Sequence, residues 1–98
     1  MGSIGAAKNN NFIVPIIHDT AGKRVNEALN NITPEVTILI GERTPTRNSL
    51  LGDKDKKLIT SSIKKELERR GQKGTVSITT PRSGNNRYLQ YLNIRREV

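Results

Sequence analysis

The sequence predicts a single small α+β domain, with elements in the order β-α-β-α-β-β and a four-stranded sheet packed against two helices. Three observations lead there. Two stretches carry apolar residues at helical spacing, four carry short β-type runs, and 98 residues suffice for one hydrophobic core but not two. Hydrophobic residues make up 33% of the chain and aromatics 3%, so that core must be small.

Residues 1–11, rich in Gly, Ala and Asn, are expected to be disordered. They lack the basic and apolar regions of a signal peptide, and Ala6 stands where a myristoylation motif needs Ser or Thr. The domain proper is expected over 12–98. Its first strand is Phe12-Ile13-Val14-Pro15-Ile16-Ile17, placed at an edge or bulge because Pro15 lacks a ladder donor. A helix follows, capped by Asp19 or Thr20, with Val25, Ala28, Leu29 and Ile32 on one face and Pro34 beyond its end. Val36 to Ile40 is almost continuously apolar, the pattern of a strand covered on both faces, and Gly41 ends it.

The segment 42–57 holds Pro45, Gly52 and few apolar residues, and predicts a long basic loop. Asp53 or Asp55 then caps a second helix bearing Ile59, Ile63 and Leu67, which closes at Arg69, Arg70 and Gly71. Thr75 to Thr80 and Arg87 to Arg96 alternate with period two around the turn residues Pro81 to Asn86, a hairpin pattern.

Composition also excludes several functions. With no cysteine there is no disulfide framework, thiolate nucleophile or Cys-ligated zinc. Asp53 and Asp55 are flanked by Lys54, Lys56 and Lys57, so helix capping explains them better than Mg²⁺, and no cofactor or metal is expected. Gly22-Lys23 lacks the rest of a phosphate-binding loop. No apolar run is long enough for a bilayer, and a cytoplasmic or nucleoid-associated protein is expected.

The dominant signal is charge. Seventeen Lys and Arg face nine Asp and Glu, a formal net charge of +8, which favours an anionic partner. The excess is confined to one half of the chain: residues 1–42 carry three basic side chains against four acidic, and 43–98 carry fourteen against five. Lys64 and Lys65 sit beside Glu66 and Glu68, as on an ordinary solvated helix face. Setting those aside leaves Arg43, Arg47, Lys54, Lys56 and Lys57 in one connection, Arg82 and Arg87 in the other, and Arg95 and Arg96 on the last strand. Arginine forks grip phosphate bidentately and stack on bases, so these residues predict a non-catalytic RNA- or DNA-binding protein. Tyr88 and Tyr91 have rings that can stack on unpaired bases, but they fall on opposite faces of their strand, so at most one is expected to meet a ligand, and core packing is the favoured expectation for either.

Two other functions remain open. His18, the only histidine, has the intrinsic chemistry of a general base and, with a basic neighbour, would suit a small metal-independent RNase-type toxin. Its position between strand and helix equally suits a helix-entry residue. The third is an interaction module for an acidic protein. The small core also leaves room for a homodimer.

The element order, the basic stretch Gly22-Lys23-Arg24 at the start of the first helix, and a basic hairpin between the last strands resemble the Alba family of nucleic-acid-binding proteins. The C-terminal domain of bacterial translation initiation factor three has a similar fold. The resemblance covers Phe12 to Arg96 in topology, and implies that Lys23, Arg24, Arg82 and Arg87 contact nucleic acid.

Overall fold

The computed structural model describes residues 12–97, so the segment 1–11, expected to be disordered, lies outside the described residues. Two helices, α1 (Asp19–Asn30) and α2 (Asp53–Arg69), pack with the strands β1 (Glu35–Thr44), β2 (Arg47–Asn48), β3 (Gly74–Thr79) and β4 (Tyr88–Arg96). The sheet is antiparallel throughout in the order β2-β1-β4-β3. The α+β class, the two helices and the four-stranded sheet are those expected; one strand is not.

That strand is Phe12 to Ile17. It forms no ladder, because Pro15 lacks an N–H and Ile16 turns to φ 73°, closing a γ-turn in which the Ile17 N–H donates to the Pro15 carbonyl at 2.9 Å. The side chain of Asn26 on α1 replaces a neighbouring strand. Its amide donates to the Phe12 carbonyl at 2.7 Å and its carbonyl accepts from the Phe12 N–H at 2.6 Å. The fourth strand is instead β2, within the stretch expected as a long loop. Residues 42–57 divide into the end of β1, a tight turn at Pro45 and Thr46, β2, and the first turn of α2. Polar side chains hold this hairpin: Ser49 Oγ accepts from the Glu42 N–H and donates to the Glu42 carbonyl, and Asn48 accepts from the Leu50 N–H.

Both helices cover one face of the sheet. Ala21, Val25 and Leu29 of α1 and Ile59, Ile63 and Leu67 of α2 meet Ile38 and Ile40 of β1 and Leu92 and Ile94 of β4, with Val14 closing the edge. Each fully buried Ile or Leu contributes about 2 kcal/mol through lost apolar surface. The other face presents Thr37, Leu39, Thr75, Ser77 and Thr79, all exposed.

Both helix starts differ from expectation, and α1 also ends early: it stops at Asn30, so Ile32, expected on its apolar face, lies beyond it and is exposed, whereas α2 closes at Arg69 to Gly71 as expected. His18, rather than Asp19 or Thr20, caps α1, and Gly52 precedes α2, leaving Asp53 and Asp55 in its first turn, where they favour the helix dipole. At the far end of α2, Gly71 takes φ 73° and the Gln72 N–H returns to the Leu67 carbonyl, a Schellman closure. The same closure ends α1, where the Thr33 N–H reaches the Ala28 carbonyl, but there Ile32 occupies the left-handed position at φ 51°.

One irregularity sets the faces of the sheet. Leu39 pairs with Tyr91 and Gly41 with Gln90, so Ile40 is an extra residue in β1, a β-bulge. Gly41 is required there: a Cβ would lie 2.7 Å from the Ser49 carbonyl oxygen and 2.9 Å from Gln90 Oε1.

Candidate functional site

The β1–β2 turn, the 80–87 connection and the start of α2 lie at the same end of the sheet, because β1 runs toward that end and β4 leaves from it. Directly paired residues in an antiparallel sheet share a face, with Cβ atoms about 5 Å apart. Arg43 pairs with Tyr88 of β4 and with Asn48 of β2, and Arg82 bridges to Tyr88 from the other side. Asn48, Arg43, Tyr88 and Arg82 therefore form one row across the sheet. Arg47 pairs with Thr44, and Arg87 reaches Glu42 at 3.5 Å, so these two arginines occupy the reverse face of the same edge.

The environment of each group decides its availability. Arg43 and Arg47 are exposed and engage no acidic side chain among the described residues. Arg82 is exposed and steadied by Nε donating to the Gly84 carbonyl at 3.2 Å, which leaves its terminal nitrogens pointing out of the bond. Arg87 is partly neutralised by Glu42, both solvent-exposed, so the pairing is weak. Tyr88 is half-buried, one row beyond Gln90. The Gln90 side chain accepts from the Leu51 N–H at 2.8 Å and donates to the Leu51 carbonyl at 3.2 Å, anchoring the chain where it enters α2. The row thus stands one same-face step beyond the Gln90–Leu51 contact. An open depression of about 560 Å³ runs along Arg43, Pro45, Arg47, Asn48 and Asn86.

The other expected residues separate from this group. Lys54 and Lys57 are exposed at the start of α2, near the same end, while Lys56 is paired with Asp53 at 3.1 Å. Lys23 and Arg24 are exposed on α1, where Lys23 borders the depression between that helix and residues 12–18. Arg95 lies at the opposite end of the sheet, paired with Glu35 at 3.0 Å.

Arg96 departs entirely from the expected surface role. It is 4% exposed, and its guanidinium donates to the carbonyls of Ala28, Leu29 and Thr33 and to Gln72 Oε1, closing the C-terminal end of α1. Burial, with the Arg70 charge added, lowers its pKa from the ordinary arginine value. Beside it Glu66 accepts from Arg69 at 2.9 and 2.6 Å and from Arg70 at 2.7 Å, and the Arg69 hydrogen bond leads in holding its carboxyl down at about 2.

His18 is a cap. Its Nδ1 accepts from the Ala21 N–H at 3.2 Å, which assigns the proton to Nε2, and Nε2 lies 3.2 Å from the Leu39 carbonyl. Both nitrogens are engaged, so neither is open to a substrate proton in this arrangement. Among the described residues no group of three or more His, Asp or Glu is placed to hold a metal, and no helix is long and apolar enough to cross a membrane.

Tyr88 is the residue that charge counting passes over. Its signal was present in the alternation, since Tyr88, Gln90, Leu92 and Ile94 share one face, and of these Tyr88 alone is not fully buried. Comparison of the chain with protein-family models, with curated proteins and with solved structures finds no match.

Proposed function

We propose that this chain is a small, non-catalytic nucleic-acid-binding protein that grips phosphates at the β1–β2 and 80–87 end of its sheet. The observation that carries the reading is convergence: Arg43, Arg47, Arg82 and Arg87, separated by up to 44 positions in the chain, meet at one end of the sheet, and among the described residues only Arg87 of the four pairs with an acidic side chain. Guanidinium groups at such spacing suit successive phosphates, and the amides of Asn48 and Asn86 add donors for sugar or base edges. The N-terminus of α2, with Lys54 and Lys57, adds positive potential at the same end. The two-layer α+β architecture is compatible with the resemblance to the Alba family, although the strand that opens that order is not formed here.

The test is fluorescence anisotropy on duplex and single-stranded oligonucleotides at several salt concentrations. If four arginines each neutralise one phosphate, log affinity for duplex falls with log salt at a slope of about −3.6. The double substitution Arg43→Ala with Arg82→Ala should flatten that slope by about half and weaken binding to many sequences alike. Arg95→Ala should change neither. Unaltered affinity in the double variant would remove the sheet end from the reading.

A further inference from the structure

We infer that the ligand of this edge is an unpaired strand, with one base stacked on Tyr88 while its flanking phosphates lie on Arg43 and Arg82. The inference rests on the nucleic-acid reading above and narrows it to a substrate class. Its ground is the composition of the row. An aromatic residue sits between two arginines, each directly paired with it across the sheet, and Asn48 extends the same face. Both arginines are exposed while Tyr88 is half-buried, so part of the residue remains open to a ligand.

The two faces of this edge differ in a way that phosphate binding alone does not require. On the reverse face Arg87 is engaged by Glu42, and Arg47 pairs with Thr44, with no aromatic residue in that row. Tyr91 is on that reverse face, further down the strand, paired with Leu39 and Thr79 and so set among apolar and hydroxyl groups rather than cations. Among the described residues, only this row combines a ring with cations that have no acidic partner. A duplex keeps its base faces stacked inside and offers phosphates and groove edges but no free π-face, so it has no use for an interposed ring. An unpaired strand offers an exposed π-face beside each phosphate, and a cationic track with an interposed aromatic ring matches that pattern. Arginine planes beside the ring can extend the stack.

The test compares a short fluorescent oligothymidylate, its oligouridylate counterpart, an abasic strand of equal length and a duplex, all with the full chain. The expected result is that the base-bearing strands bind about tenfold more tightly than the abasic strand. Tyr88→Leu should erase that difference, and Tyr88→Phe should retain it. Since the abasic comparison needs no protein variant, it stands even if Tyr88→Leu fails to fold. Equal binding of base-bearing and abasic strands, or tighter binding of duplex, would overturn the stacking inference and leave the phosphate reading intact. Absence of binding to every probe at low salt would overturn both.

Discussion

Replacing Arg96 by Ala tests whether a cation can belong to the core of so basic a chain. The guanidinium is 4% exposed and serves three carbonyls that end α1, with contacts of 2.9 and 2.6 Å to Thr33 and 3.4 Å to Leu29, a bond to Ala28, and 2.9 Å to the Gln72 side chain. Ala28 keeps its bond from the Thr33 N–H when Arg96 is lost, so two carbonyls and one amide are left without a protein donor. At about 1–3 kcal/mol for each buried acceptor, offset by release of a desolvated charge and by water entering the vacated space, the net loss is about 3 kcal/mol. For an m-value of about 1.5 kcal/mol/M, the urea midpoint falls by about 2 M. Far-ultraviolet circular dichroism across a urea titration reads it. A shift below about 0.5 M, or weakened nucleic-acid affinity at unchanged stability, would show that Arg96 acts at the surface and that the end of α1 closes without it.

Acidity and helix closure supply two further checks. Glu66 is held at about 2 rather than 4.5, so its contribution is complete above about pH 4.5 and disappears as pH falls from there toward 2. The full difference is about 3 kcal/mol, reduced to about 2 because Arg69 is 63% exposed and screened; Glu66→Gln should therefore lose stability at pH near about 6 but little near pH 2, and an identical pH profile for the two proteins would refute the pairing. Ile32→Gly should raise stability by about 1 kcal/mol, measured as a higher urea midpoint, because a β-branched residue holds the left-handed position that Gly71 fills at the end of α2. No gain would mean that the exposed Ile32 side chain packs in a way its 54% exposure does not reveal.

What the residues disclosed before folding follows from how local each cause is. Both helices announce themselves because Val25, Ala28 and Leu29, and then Ile59, Ile63 and Leu67, repeat at the helical period and are all buried, although Ile32, which continues the first repeat, falls past the helix end and is exposed. Strands β3 and β4 follow from alternation, and their burial patterns obey it; β1 follows from its apolar run, but helices cover it on one face only, leaving Thr37 and Leu39 exposed, and it continues through Gly41 to Thr44 rather than ending there. Phe12 to Ile17 looked like a strand for the same reason, but its fate depended on Asn26, a partner 14 residues away that composition cannot nominate. β2 has two residues and no apolar pattern, and is held by Ser49 and Asn48 side chains, so nothing in its own sequence distinguishes it from a loop. Arg96 was legible in principle. It continues the buried alternation of Gln90, Leu92 and Ile94, and a count of charges overrode that register. The grouping of Arg43 with Arg82 was suggested by their place in turns, whereas their common face with Tyr88 required the pairing register.

The extra residue at Ile40 governs that register. Upstream of it, odd-numbered positions of β1 look away from the helices; downstream, Arg43 looks toward their side and Glu42 away. Had Ile40 paired with Gln90 in regular register, alternation would have carried Glu42 to the tyrosine row and Arg43 to the reverse side. The polarity of the whole edge, cation beside ring on one side and ion pair on the other, is thus a parity effect. A single step in chain length, made possible by the missing side chain of Gly41, sorts opposite charges onto opposite surfaces.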